Sequence, residues 1–594
     1  MRPNFLIFCV DQMQAYCMGC NGHPDVQTPN LDRLAQDGVL FRRNYCSHPV
    51  CQPSRASLIT GLMPSQHGLI QNGMSLSEDM PTVTGALSRA GYRTHAAGKL
   101  HLQPFSGGDS WENRHRWYSG EVTHLPEGYY GFGETDYVGG HVNYVCGDYR
   151  NWLEEEYPDV AQKDHPEDGP STCVPYAQLS AYQNFGYQTW KIDQIPAELH
   201  YNHWITDRTM AFIDGLGAGE NFFAWCSFPE TDYVGGHVNY VCGDYRNWLE
   251  EEYPDVAQKD HPEDGPSTCV PYAQLSAYQN FGYQTWKIDQ IPAELHYNHW
   301  ITDRTMAFID GLGAGENFFA WCSFPDPHHP FVACKPYSEM YDPGALTLPE
   351  TFVVDEDPAS DSLLRRVGPA WFNGDEEDLR QVMAQTYGMI SHIDDNVGRA
   401  IDFLQAKGLY DNTVVAFIAD HGEYLGSHHL WHKTPYQWEE LLRVPYIWRV
   451  PGGRTGVCDD VVSNLDFVPT VLDYAGVDQI AMRFRREDWA VEGFELPGRS
   501  LSAFINDGAD MSDRAALVEM GPMRTLITER YKIVVDASGI GHNVLVDLES
   551  DPREKVNLWD RSEAQDVKAD LLTRFMRESI RCTRMDNPRI TPGA

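Results

Sequence analysis

Basic residues are scarce in this chain. Lys and Arg number 45 against 85 Asp and Glu in 594 residues, a formal net charge of −40. Nucleic-acid binding needs a positive surface, so nucleic acid is excluded as a partner. Long apolar runs are missing as well: nothing approaches the ~20 residues of a membrane span, and no membrane partner is expected. A leader peptide is not evident either. The apolar run after Arg2 reaches Asp11 without a small-residue cleavage site and reads as a first core strand. The expectation is a cytoplasmic protein as written, periplasmic or secreted if a leader was trimmed. The 14 cysteines do not imply a disulfide framework in a chain this long, and the CxxC spacing at Cys17–Cys20 lacks a second pair.

Two apolar runs stand out against this polar background. Asn4–Val10 is closed by Asp11-Gln12, and Thr413–Ala419 is closed by Asp420-His421-Gly422. Runs of this kind are strands buried on both faces. Acidic residues at their carboxyl ends would lie where open α/β sheets bind ligands, and oxygen donors suit a hard cation. A strand-end Asp can equally cap the following turn.

Between them lies Cys51-Gln52-Pro53-Ser54-Arg55-Ala56-Ser57-Leu58-Ile59-Thr60-Gly61. A short helix is predicted, with Pro53 at its first position and Gly61 at its end. Cys51 then sits near a helix N-terminus, which favours negative charge, with Arg55 as a permanent cation close by.

This segment resembles the CxPSRxxxxxG signature of the type I sulfatases. The resemblance implies that Cys51 is oxidised to Cα-formylglycine by a transient partner, a formylglycine-generating enzyme. The hydrated aldehyde is then the nucleophile: one hydroxyl attacks sulfur, and the other later loses its proton to expel sulfate. Further elements follow in family order. Asp11, Gln12, Cys51, Asp420 and His421 would form the metal site, for Ca²⁺ with Mg²⁺ or Mn²⁺ possible. Gly98-Lys99-Leu100-His101 resembles the GKxH element, giving Lys99 a sulfate oxygen and His101 the role of base. Pro327-His328-His329-Pro330 resembles PHxP and makes His328 the acid for the leaving group. Lys433, within Trp431-His432-Lys433-Thr434, takes the place of the second sulfate-binding lysine, while His429 and His432 match no family position. The catalytic set implied is Cys51, Arg55, Lys99, His101, His328 and Lys433. The substrate implied is a carbohydrate or aryl sulfate, held in a pocket whose cations reverse the acidic field outside.

Gln12 and His421, where the family often has Asp and Asn, resemble the phosphonate monoester hydrolase branch, whereas Ser54 favours sulfatase. A phosphonate monoester or phosphodiester hydrolase is the rival enzyme, and a silent anion-binding homologue is the rival of another class. Aromatic and acidic residues between Trp111 and Tyr137 could frame a sugar or an aryl group, or be ordinary packing. The sequence is silent on oligomeric state.

Alternation of apolar runs with helical patterns (28–37, 82–90, 379–404) predicts a large, mostly parallel sheet flanked by helices on both faces, the alkaline-phosphatase-like fold. Residues 524–536 and 543–548 alternate like an antiparallel meander, followed by a helix near 566–584. A smaller C-terminal antiparallel sheet with a helix is therefore expected. The division expected is a catalytic domain over 1–508 and a C-terminal subdomain over 509–594.

Residues 134–229 recur letter for letter as 230–325. Such identity marks a recent duplication, an engineered insertion or an error in sequence assembly, the last being favoured. Only the second copy runs into Pro327-His328, so its Asn317–Phe324 is expected to supply the core strand.

Overall fold

In the computed structural model the described residues are all except 1, 106–108, 141–145, 157–292, 314, 330, 353–375, 434–435, 483–494, 539–542 and 584–594. Its organising element is β1 (Asn4–Val10), in which all seven residues are buried. Successive side chains of a strand point to opposite faces. Leu6, Phe8 and Val10 accordingly join one hydrophobic layer, with Ile301, Leu31 and Ile393. Phe5, Ile7 and Cys9 join the other, with Leu58, Leu87 and Val471. Helices Pro29–Gln36, Tyr297–Asp310 and Glu376–Ala406 cover the first face. Helices Cys51–Thr60, Val83–Arg89 and Phe467–Ala475 cover the second.

The other strands of this sheet are β2 (Val39–Tyr45), β3 (Arg93–Gly98), β4 (Glu134–Gly139), β5 (Cys146–Gly147), β6 (Phe318–Phe324), β7 (Thr413–Ala419), β8 (Tyr446–Arg449) and β9 (Gly456–Ser463). Their order is β5-β4-β3-β6-β1-β7-β8-β2-β9. The central run from β4 to β7 is parallel. β8 runs antiparallel to both β7 and β2, and β5 antiparallel to β4, so the sheet is mixed at its flanks. Val10 is in register with Phe324 on one side and Ala419 on the other, so three strands end together.

The repeat contributes to this sheet from its two outer ends. β4, β5 and the helix Asp148–Glu156 come from the first copy, whereas the helix Tyr297–Asp310 and β6 come from the second. The strand beside β1 is thus the second copy's, as its continuity with His328 suggested. The equivalent segment of the first copy, 221–228, lies outside the described residues.

Four antiparallel strands follow: β10 (Ala516–Met520), β11 (Met523–Ile527), β12 (Tyr531–Asp536) and β13 (Val544–Asp547). Leu526, Ile533 and Leu545 pack with Ala564 and Leu571, which brings the final helix, Gln565–Thr583, onto one face. β10 was not expected from the sequence. Among the described residues no helix is long and apolar enough to cross a membrane.

Candidate active site

The aligned ends of β1 and β7 set out the first four groups. The Asp420 amide donates to the Val10 carbonyl and the Asp11 amide to the Asp326 carbonyl, so both carboxylates emerge side by side. Oδ1 of Asp420 accepts the amides of Gln12 (3.1 Å) and His421 (2.8 Å). Gln12 adopts φ 62°, which turns its side chain back toward Glu423, the acceptor of its Nε2–H. Its Oε1 is buried with no hydrogen-bond partner. His421 Nδ1 lies 2.8 Å from the Gly422 carbonyl, which can only accept, so Nδ1 carries the proton and Nε2 presents a lone pair.

Cys51 meets this group from the opposite side. It is the first residue of the helix Cys51–Thr60, with Val50 as N-cap, so Pro53 stands third rather than first. The third N–H is also one a helix leaves unbonded, so proline is equally free to occupy it. Gly61, at φ 70°, ends the helix as expected. Every residue of the helix is buried. Cys51 Sγ lies 3.1 Å from His421 Nε2 and 3.5 Å from Asp11 Oδ1. Burial and Asp11 push the thiol up, but Lys433, Lys99 and His421 outweigh them and hold it below its ordinary value.

Arg55, one turn along, binds the strand ends together. Nε donates to Asp420 Oδ2 (2.7 Å), and Nη1 to the Lys99 carbonyl (3.0 Å) and Ser323 Oγ (2.9 Å). Burial disfavours its charge, yet Asp420, Cys9, Asp11 and Cys51 together more than compensate and keep the guanidinium protonated. Ser54 Oγ donates to the Asp420 carbonyl at 2.5 Å.

Three more predicted residues converge here. Lys99 follows Gly98, whose φ of 98° and tight packing leave no room for a Cβ beside the Ser323 carbonyl. Lys99 Nζ is ion-paired with Asp11 Oδ2. Lys433 Nζ donates to Cys51 Sγ (2.8 Å) and lies 3.1 Å from His328 Nε2 and 3.3 Å from His421 Nε2. His328 Nδ1 donates to the His329 carbonyl at 2.6 Å, leaving Nε2 to face the ammonium. His101 stands two residues beyond Lys99 at φ 57°, partly exposed, with its amide held by Glu112. Pro330 and Thr434, which complete two of the motifs, lie outside the described residues.

The donor set fits a divalent cation. One ligand atom each from Asp11, Cys51, Asp420 and His421 lie within 4.8 Å of one another, and the amide oxygen of Gln12, the residue next to Asp11, is buried without a hydrogen-bond partner. Carboxylate and carbonyl oxygens suit Ca²⁺, Mg²⁺ or Mn²⁺.

Two acids were missed in the sequence. Glu112 is buried and accepts the amides of His101, Leu102 and Gln103 together with the hydroxyls of Tyr129 and Tyr137. Nothing in its local pattern marks it. Glu423, which holds Gln12, is adjacent to the Asp420-His421-Gly422 segment and was open to notice. The aromatic stretch resolves toward packing: Trp117, Tyr129, Tyr130 and Tyr137 are all buried in the second hydrophobic layer.

A mixed α/β sheet with an acidic cradle at its carboxyl edge, a buried cysteine and two lysines beside that cradle is an arrangement of the alkaline-phosphatase-like class. The sulfatase family model matches residues 3–477. The chain belongs to the sulfatase family and is a sulfuric ester hydrolase. It is 25% identical over 585 residues to an arylsulfatase of Clostridium perfringens, covering 97% of this chain and 94% of that one. It is 23% identical to an N-acetylglucosamine-6-O-sulfatase of Bacteroides thetaiotaomicron, covering 96% and 85%. Among solved structures, the phosphonate monoester hydrolase of Agrobacterium radiobacter superposes with a TM-score of 0.63 at 22% identity, covering 98% of this chain and 96% of that one.

Proposed function

We propose that the chain hydrolyses a sulfate monoester of a carbohydrate or aryl alcohol through a formylglycine hydrate made from Cys51. The observation that carries this reading is the set of groups around Cys51 Sγ: Lys433 Nζ at 2.8 Å, His421 Nε2 at 3.1 Å and Asp11 Oδ1 at 3.5 Å. Hydrated, the aldehyde would supply a hydroxyl to attack sulfur and a second whose deprotonation releases sulfate. A Ca²⁺ ion held by Asp11, Gln12, Asp420, His421 and the modified residue would supply charge stabilisation.

The remaining work falls to side chains. Lys99 and Lys433 provide two cations for the non-bridging sulfate oxygens, preorganised in a buried site. His328 presents Nε2 beside Lys433, where it can carry a proton to the leaving oxygen. His101 is the base, and Arg55 fixes Asp420. Maturation would need a transient encounter with a formylglycine-generating enzyme. Catalysis is assigned to 1–508 and a supporting role to 509–594.

Phosphonate ester hydrolysis is the second reading, favoured by Gln12 and His421. Ser54 and the sulfatase relatives outweigh it. The test is the mass of the tryptic peptide Asn44–Arg55, with release of sulfate and of phosphonate measured on the same preparation. Aldehyde at 51 with faster sulfate release is expected. Unmodified Cys51 in a host that makes formylglycine, or faster phosphonate release, would overturn the reading.

A further inference from the structure

A second group of metal-binding side chains lies apart from the active site. One ligand atom each from His296, Cys334 and His392 lie within 4.8 Å of one another. All three residues are buried, at 1%, 1% and 2% exposure. They come from three elements: His296 is the N-cap of the helix Tyr297–Asp310, Cys334 lies in the loop that follows His328, and His392 is midway along Glu376–Ala406. Cys334 Sγ stands 3.4 Å from His392 Nδ1, and the two imidazoles meet edge to face at 4.9 Å between centroids.

The polar accounting of this group is incomplete. Nε2 of His296 and Nε2 of His392 are both buried without a hydrogen-bond partner. His296 Nδ1 accepts only a long bond, 3.3 Å, from the Asn298 amide. Buried polar atoms are rarely left in this state, because each has given up its bonds to water without replacement. Burial presses both rings to stay neutral, with His392 protonating only at about 3. A neutral imidazole is the form that ligates metals.

We propose that His296, Cys334 and His392 form a second cation site, selective for a thiolate-seeking divalent metal of the zinc type. Two imidazoles and one thiolate match the donors of zinc sites, and not those of the oxygen-rich cradle at Asp11 and Asp420. On binding, the Cys334 S–H bond breaks, its proton passes to solvent, and a metal–sulfur bond takes its place. Ligation through His296 Nε2 moves the ring proton to Nδ1 and gives up the weak cap on Asn298. Burial first, and then Asp326 and Glu294, push the thiol up, so the ion must displace its proton; the same two acids would offset the positive charge that remains. The bound ion would pin the loop carrying His328 to two helices.

The test uses the full-length chain carrying Cys51→Ser, which removes the active-site thiol. Loaded with Zn²⁺ and dialysed, it is expected to show a zinc-edge absorption spectrum with one sulfur at about 2.3 Å and nitrogens at about 2.0 Å. Adding Cys334→Ser should abolish the sulfur shell. Adding His392→Gln instead, which leaves the thiol in place, should weaken zinc binding at least about tenfold. Absence of sulfur in the first spectrum, its persistence after Cys334→Ser, or unchanged zinc affinity in the His392→Gln chain would each overturn the proposal.

Discussion

Arg55 and Asp420 form a buried ion pair, Nε to Oδ2 at 2.7 Å, that joins the helix carrying Cys51 to the end of β7. The same guanidinium reaches Ser323 and the Lys99 carbonyl, so one side chain indexes three strand ends against the helix that carries Cys51. The resemblance places Arg55 in the catalytic set; its contacts to Asp420, Ser323 and the Lys99 carbonyl support a positioning role as the reading proposed for it.

Arg55→Lys should be costly for that reason. An ammonium cannot reproduce the fork, and breaking a buried pair costs about 3–5 kcal/mol. A clear fall in melting temperature is expected. Sulfatase turnover should drop roughly a hundredfold through misplacement of Asp420 and Lys99. Near-wild-type turnover would remove Arg55 from the site's architecture.

Glu112→Gln should loosen the segment that carries Lys99 and His101. One oxygen that now accepts amides would become an NH₂ facing N–H donors, a cost of about 1–3 kcal/mol. Turnover should fall more than KM rises, because the segment's order is lost and not its charge. Circular dichroism and steady-state kinetics on the same preparation would check both.

Stability should fall on acidification, in part through His67. Burial holds this ring neutral down to about 3 against an ordinary 6.5. Its Nδ1 accepts the Leu69 amide, so Nε2 donates to Ser57 in the Cys51 helix. Between those pH values the unfolded ring binds a proton that the folded ring refuses, so stability rises with pH across the window. From pH 6.5 to about 4.5 the loss is about 2–3 kcal/mol. His67→Gln keeps one donor and one acceptor, and should flatten the plot of denaturation midpoint against pH; an unchanged slope would contradict the assignment.

Deleting residues 157–252 removes one period of the repeat and joins Glu156 to Tyr253, restoring a single copy. The described sheet draws on 134–156 and 293–325, both of which survive. The shortened chain should keep its melting temperature and its activity, measured beside the full chain. Loss of either would assign residues 157–252 a part in the fold.

Most of the residues gathered at the candidate site were legible because they fall in short local patterns. Asp11-Gln12, Cys51–Arg55, Lys99 and Asp420-His421 each sit where a buried strand or a helix begins or ends, and apolar runs mark such points. His101 is the exception within that set: its backbone is fixed by Glu112, a residue with no local signature. Acceptors of that kind are defined by distant amides, and a single sequence does not pair them. Strand direction escaped for a similar reason. The apolar run of β8 is compatible with either orientation, and its antiparallel pairing with β7 and β2 is set by the chain's path. β10 escaped because five residues ahead of the Gly521 turn are too few for a pattern.

The pairing of β1 also has a consequence during synthesis. Phe5 is in register with Phe319 and Val414, so β1 leaves the ribosome well before its partners, which lie more than three hundred residues away. Throughout that interval seven consecutive residues destined for the interior have no sheet to join, and such segments invite aggregation. At ~5–20 residues per second, a duplicated period of 96 residues adds roughly 5–20 s to the wait. The repeat thus bears on this chain's yield of folded protein and its call on chaperones, even where it leaves the finished sheet as it was.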